Sequence, residues 1–182
     1  GPSQANLQGL EPLPFTVIFE YELGVSDKRT VRHWADDPRG NAADREAWEA
    51  ASTIDAGADD WTGPGVHPGR VITTLRRVLP DDAILTTDAG NFAGWASRGF
   101  RFRRPGTFIG PTSGAMGYGV PAAIAAALVH RDRPVVALVG DGGMAMTMAE
   151  LETATREGAR IIVVVFDNER YGTIRMWQAR RG

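Results

Sequence analysis

The sequence predicts an α/β domain built on an open, mostly parallel sheet with helices on both faces. Two runs carry most of that expectation: residues 135–139 (VVALV) and 161–166 (IIVVVF), which are short, largely β-branched and apolar throughout. Such runs fit parallel strands covered on both faces. The third observation is the stretch between them. Residues 147–157 have helical composition and open with Thr147-Met148-Ala149-Glu150, the capping-box pattern in which Thr and Glu satisfy free N–H groups reciprocally. Strand, helix, strand in that order is a right-handed βαβ crossover.

The other elements follow along the chain. Residues 1–14, with prolines, glutamines and small residues, read as a flexible lead-in, and residues 15–21 (FTVIFEY) as one strand. Residues 22–41 are polar and fit no element. Residues 42–52 have helical composition and carry Trp48. Four glycines and two prolines in residues 55–69 mark a linker. From Pro68 the pattern becomes regular: Val71, Ile72, Leu75, Val78 and Leu79 recur at helical spacing, with proline near the first turn, where its missing N–H costs nothing. A strand is expected at 83–87 (AILTT), then a helix through Trp95, a strand at 107–109, and a helix of small apolar residues at 115–129 packed closely on the sheet. The chain thus divides into a segment and linker at 1–66 and a domain at 67–182.

Composition excludes several classes. Lys plus Arg is 20 against Asp plus Glu 22, and a net charge of −2 argues against bulk nucleic-acid affinity. Charge is uneven, however. Eight acids face two arginines between Asp36 and Asp60, while Arg98, Arg101, Arg103 and Arg104 crowd one stretch. That stretch reads as a solvated or interface loop; its Phe100 and Phe102 could instead stack on bases. There is no cysteine, hence no disulfide or thiolate metal site. The three histidines are scattered. The longest apolar run, residues 120–129, is far shorter than a bilayer span. No signal-peptide pattern opens the chain, so a cytoplasmic protein is expected.

Two polar clusters follow the two buried strands: Gly140-Asp141-Gly142-Gly143 and Asp167-Asn168-Glu169-Arg170. Ligands of open parallel sheets bind outside the carboxyl ends of the strands. A crossover would bring Asp141 and Asn168 to one edge of the sheet. Glycines there allow close backbone approach, and a helix N-terminus favours phosphate. A carboxylate, an amide oxygen and a loop carbonyl are hard donors suited to Mg²⁺. Each cluster taken alone is also ordinary turn chemistry. Together they point to a phosphate–metal site without naming the ligand.

Gly140-Asp141-Gly142, with Asn168 27 residues after Asp141, resembles the motif of thiamine-diphosphate enzymes that begins Gly-Asp-Gly and ends Asn-Asn. Asp167 replaces the first Asn of that final pair. The resemblance implies Mg²⁺ bound by the side chains of Asp141 and Asn168 and the backbone carbonyl of Arg170, with Gly142 and Gly143 beside the cofactor. Residues 113–123 (SGAMGYGVPAA) resemble the acetolactate synthase and benzaldehyde lyase group. That implies cofactor contacts at Gly114, Ala115 and Met116, with Met116 wedged between the two rings to hold the bent conformer. Read without the motif, Met116 is core packing. Residues 88–92 (DAGNF) resemble the loop that meets the diphosphate, through Asn91 and Phe92. Tyr171, Gly172, Thr173 and Ile174 follow the metal loop as in relatives, which implies that they too contact the cofactor, and Trp177 falls where acetohydroxyacid synthases carry a tryptophan beside the substrate.

By resemblance the fold is the thiamine-diphosphate-binding fold, and the activity is 2-oxo-acid decarboxylation or carboligation on a small 2-oxo acid or aldehyde. The family also carries a pyrimidine-binding domain with an activating glutamate, which no segment here matches, and its cofactor domain runs on past Gln178. The expectation is therefore a cofactor-binding part that needs a pyrimidine-binding domain or subunit, in a homo- or hetero-oligomer. The alternatives are one subunit of a two-chain decarboxylase, or a non-catalytic module that binds cofactor or partner.

Overall fold

The computed structural model describes residues 61–62 and 65–181, together with helical positions 46, 47 and 50. The expected lead-in at 1–14, the strand at 15–21 and the first part of the linker lie outside the described residues. Of the helix expected at 42–52, only those three positions are described, and they are helical.

Helix α1 (Pro68–Val78) starts as its sequence requires. His67 is the N-cap, and its Nδ1 accepts the Gly69 N–H at 3.1 Å. Arg76 and Arg77 lie in the last turn, where the helix dipole favours cations. The chain continues through β1 (Ile84–Thr87), α2 (Asn91–Gly99), β2 (Phe108–Ile109), α3 (Gly119–Val129), β3 (Val135–Gly140), α4 (Asp141–Thr147), α5 (Glu150–Arg156), β4 (Ile162–Phe166) and α6 (Gly172–Arg181). The four strands form one sheet in the order β2-β1-β3-β4, every pair parallel.

The central strands β1 and β3 are buried on both faces. Their side chains alternate between two cores. Ile84, Val135, Ala137 and Val139 pack with Val120, Ala123, Ile124 and Ala127 of α3. Leu85, Val136 and Leu138 pack on the other face with Ile72 of α1 and with Ala96 and Phe100. Each fully buried Val, Leu or Ile contributes about 1.5–3 kcal/mol, so the doubly covered sheet dominates stability. The alanines of α3 let its backbone ride close to the sheet.

Three boundaries differ from expectation. The helix expected at 115–129 begins only at Gly119. Gly117 takes φ +76°, which breaks the helical path, and the N–H groups of Gly117 and Gly119 bond to the carboxylate of Asp88 instead. The capping box at Thr147 does not form. Helix α4 starts at Asp141 and ends at Thr147, while α5 begins at Glu150 with Ala149 as an uncapped N-cap. The Thr147 hydroxyl is buried without a partner, and Glu150 accepts from Thr153 at 2.9 Å. Glycines at 142 and 143 hid the first helix, because their propensity is poor. Finally, β4 is not covered on both faces among the described residues: it is an edge strand with Ile162 and Val165 exposed.

The arginine-rich stretch is resolved by its phenylalanines. Phe100 is 3% exposed and stands 4.8 Å from Phe102, which meets Phe108 at 5.1 Å. Phe100 belongs to the core, and Phe102 and Phe108 pack partly buried against it. Arg76 lies over the Phe100 ring at 4.8 Å, and both Arg76 and Arg103 pair with Asp81. Among the described residues no helix is long and apolar enough to cross a membrane.

Candidate functional site

Strands β1, β3 and β4 all end at one edge of the sheet, and a helix follows each within about the length of a tight turn. Helix α2 opens at Asn91, α4 at Asp141 and α6 at Gly172. Neither Gly90 nor Gly140, the N-caps of α2 and α4, supplies a side-chain cap, so N–H groups of the first turns stay available to an anion.

The register Gly140↔Phe166 places Asp141 one residue beyond a paired position on β3, and Asn168 two residues beyond it on β4. Neighbouring strands lie about 4.8 Å apart, so the two residues follow adjacent strand ends on the same side of the sheet's carboxyl edge. The Asp141 carboxylate is half-buried and has no hydrogen-bond or ion-pair partner among the described residues. The loop after β4 is two successive Asx turns. Asp167 Oδ1 accepts the Glu169 N–H at 3.1 Å, and Asn168 Oδ1 accepts the Arg170 N–H at 3.2 Å. Arg170 Nε also donates to the Asn168 carbonyl at 3.1 Å. Glu169 takes φ +53°, a left-handed conformation unusual for a residue other than glycine. Among the described residues no three His, Cys, Asp or Glu side chains gather. A metal held here would take one free carboxylate, an amide oxygen and backbone carbonyl. That sparse, all-oxygen set fits Mg²⁺, which keeps phosphate and water in its remaining positions.

Tyr171, Met116 and Gly142 converge. A Cβ on Gly142 would stand 2.6 Å from the Tyr171 ring and 3.1 Å from Met116 Cε, so glycine is required for both side chains to lie there. The Thr173 hydroxyl donates to Asn91 Oδ1 at 3.0 Å, joining the first turns of α6 and α2. Gly172 sits beneath the amides of Asn168 and Asn91. The Phe92 ring packs over Gly90 and Gly140 and stacks on Phe166 at 5.2 Å. The ring therefore lies against the N-caps of α2 and α4. Gly114 and Ala115 lie on the exposed loop before α3. Ile174 and Trp177 share an exposed face of α6, with Arg180 over the Trp177 ring at 5.3 Å. The wall expected of Trp177 therefore stands open.

Sequence reasoning missed what holds this edge together. Asp88 is 1% exposed. Its Oδ2 accepts the Gly117 N–H at 3.0 Å and its Oδ1 accepts the Gly119 N–H. Ala89 N–H donates to the Ala115 carbonyl at 3.1 Å, and Thr86 Oγ1 donates to the Gly119 carbonyl at 2.7 Å. The end of β1 is thereby zipped to residues 115–119. The available signal was an acidic residue directly after an apolar strand, with a Gly-x-Gly downstream that leaves two amides unpaired.

Residues 88–182 match the family model described as the thiamine pyrophosphate enzyme C-terminal TPP binding domain. A sulfoacetaldehyde acetyltransferase of Castellaniella defragrans is 32% identical, over 71% of this chain and 24% of that protein. The acetolactate synthase isozyme 2 large subunit of Escherichia coli K12 is 34% identical, over 65% and 22%. Among solved structures, the Rhodococcus jostii RHA1 thiamine diphosphate-dependent 4-hydroxybenzoylformate decarboxylase superposes with a TM-score of 0.62 at 28% identity, over 66% of this chain and 23% of that one. The chain thus spans about a quarter of the length of these relatives.

Proposed function

The chain belongs to the thiamine pyrophosphate enzymes and carries their C-terminal cofactor-binding domain, and from that premise we propose that it is the diphosphate- and Mg²⁺-holding half of a site for 2-oxo-acid decarboxylation or carboligation of the acetolactate-synthase type. The observation that carries the reading is the pairing of Asp141, free of any partner among the described residues, with Asn168 on the adjacent strand end, beside the uncapped first turn of α2. In this reading Asp141 and Asn168 hold Mg²⁺ by side-chain oxygens, and Arg170 holds it by its carbonyl. The N–H groups at Asn91, Phe92, Gly142 and Gly143 receive diphosphate oxygens, and Asn91, fixed by Thr173, adds its free amide. When bound, thiamine diphosphate supplies the nucleophilic carbon and the electron sink that 2-oxo-acid chemistry needs.

The chain's own residues would bind, orient and exclude water. Gly114, Ala115 and Met116 hold the cofactor's rings, with Met116 as the wedge. Tyr171, Gly172, Thr173 and Ile174 border the cofactor, and Trp177 borders the substrate side, where a small 2-oxo acid or aldehyde would sit. Tyr118, Met146, Met148 and Leu151 are exposed, and Met146 packs beside Gly117. Exposed apolar side chains grouped beside a site mark a place for a partner, which supports a pyrimidine-binding domain or subunit here. Titration calorimetry of thiamine diphosphate, with Mg²⁺ and then with EDTA, tests the reading. Heat only with Mg²⁺ is expected; equal heats would remove the metal, and no heat in either would sink the cofactor assignment.

A further inference from the structure

We propose that Asp88 is the positioning residue of this site: a buried carboxylate that sets Met116 in register with Gly142, without touching the cofactor. This deepens the reading above and rests on it only for what Met116 meets.

The observations converge on one side chain. A carboxylate almost fully removed from water is costly unless its oxygens accept strong hydrogen bonds. Asp88 is 1% exposed, and among the described residues no cation pairs with it. Both oxygens are used on backbone N–H groups of one loop, Oδ2 on Gly117 and Oδ1 on Gly119. Charge-assisted bonds of this kind are about twice as strong as neutral ones. Met116 lies between two pinned residues, since Ala115 is tied to Ala89 and Gly117 to Asp88. Asp88 is itself anchored, because its N–H donates to the Leu138 carbonyl of β3 at 3.2 Å. Two glycines make the room: a Cβ on Gly143 would collide with Oδ2, and one on Gly119 would stand 3.1 Å from Oδ1. Two loop amides, a backbone anchor to β3 and two glycines place this carboxylate, and the side chain between the pinned residues is Met116.

The variant is Asp88→Asn, which keeps the shape but turns an NH₂ toward an N–H donor. Two ligands separate positioning from general stability. Thiamine diphosphate carries the rings that Met116 would meet; inorganic pyrophosphate carries only the group that the helix N-termini would meet. With Mg²⁺ present, Asp88→Asn is expected to weaken thiamine diphosphate about tenfold, the scale of one lost charge-assisted bond, and to leave pyrophosphate unchanged. In a Met116→Ala background the loss should largely vanish, because the two changes act through one contact. Equal losses for both ligands, or a lower melting temperature with unchanged affinities, would overturn the proposal. Hydrogen exchange on the unmodified chain gives a second reading that needs no ligand. The Gly117 and Gly119 amides should exchange as slowly as those of β3, and exchange at exposed-loop rates would refute the clamp. If the unmodified chain bound neither ligand, the cofactor reading would fail, and the exchange rates alone would decide whether the clamp exists. They would decide it equally if Asp88→Asn did not fold.

Discussion

The carboxylate of Asp88 fills the space that a side chain at position 143 would need: a Cβ built on Gly143 falls much closer to Oδ2 than the 3.0 Å that real Cβ atoms keep. The glycine two residues past Asp141 is therefore required by packing, before any ligand is considered.

Gly143→Ala sets two effects against each other. Within a helix, alanine is normally better than glycine by about 0.5–1 kcal/mol. Overpacking a closed site typically costs about 1–3 kcal/mol, and the atom in the way, Asp88 Oδ2, belongs to a buried carboxylate held by two hydrogen bonds that has nowhere to move. The clash should win, and the melting temperature should fall by several degrees. Gly94→Ala is the control, because nothing lies within 4 Å of its Cβ position in α2. That change should raise the melting temperature. A rise for Gly143→Ala as well would mean that Asp88 is not where the structure has it.

Asp141→Ala should leave the fold nearly intact and abolish Mg²⁺-dependent binding of thiamine diphosphate. The carboxylate has no partner among the described residues, so its removal forfeits only a first-turn dipole interaction of about 0.3–1 kcal/mol. Calorimetry reads the binding and circular dichroism the fold. An unfolded variant would return Asp141 to the status of a structural turn residue.

Met116→Ala separates a wedge from core packing. A fully buried methionine reduced to alanine costs about 2–5 kcal/mol, but Met116 is only partly buried, so a smaller loss is expected. The ligand-induced rise in melting temperature should shrink much more than the ligand-free temperature falls. A large ligand-free drop with an unchanged ligand-induced rise would refute the wedge.

Glu169 gives a test of the loop itself. At φ +53° it occupies a conformation that disfavours most side chains by about 1–2 kcal/mol. Glu169→Gly should keep metal-dependent binding, while Glu169→Val should weaken it, with both melting near the parent temperature because the loop is exposed. Equal binding by the two variants would show that the left-handed turn does not set the donor geometry.

The sheet was legible because residues 135–139 and 161–166 are short, largely β-branched and apolar, a pattern suited to parallel strands; that β4 is an edge strand was not legible, because its composition matches that of the buried β3. The metal-loop candidates were legible only together: each polar cluster alone is ordinary turn chemistry, but two of them at strand ends joined by one crossover point to a shared ligand. What stayed hidden was hidden by competing rules. Gly142 and Gly143 lower helix propensity where a close approach by Tyr171 and Asp88 demands them, so α4 read as a loop. Thr147 and Glu150 mimic a capping box, yet the chain reaches Thr147 already helical. Asp88 gave no periodic signal, because its partners are backbone amides about 30 residues downstream; an acid at a strand end and a distant Gly-x-Gly are a weak cue to such a pairing.

This chain alone, saturated with thiamine diphosphate and Mg²⁺, should show no turnover of pyruvate and no acceleration of hydrogen exchange at the cofactor's C2. By resemblance, activation requires a carboxylic acid facing the aminopyrimidine ring, and among the described residues the acids near this edge are committed elsewhere. Asp88 is buried and holds two amides. Asp141 is the proposed metal ligand. Glu150 accepts from Thr153, and Glu152 pairs with Arg156 one helical turn on. Asp167 is engaged by the Glu169 N–H within the loop, and Glu169 lies between two proposed metal-binding positions. A second copy of the chain would add a second metal site and the same committed acids. A pyrimidine-binding domain or subunit that brings its own acid against Met116 and Tyr118 would complete the chemistry. Deuterium loss at C2, followed by NMR with no other protein present, is the measurement. Exchange clearly faster than that of free cofactor would show that one of these acids activates the ring, and a coupled pyruvate assay on the Glu150→Gln, Glu152→Gln and Glu169→Gln variants would then identify which.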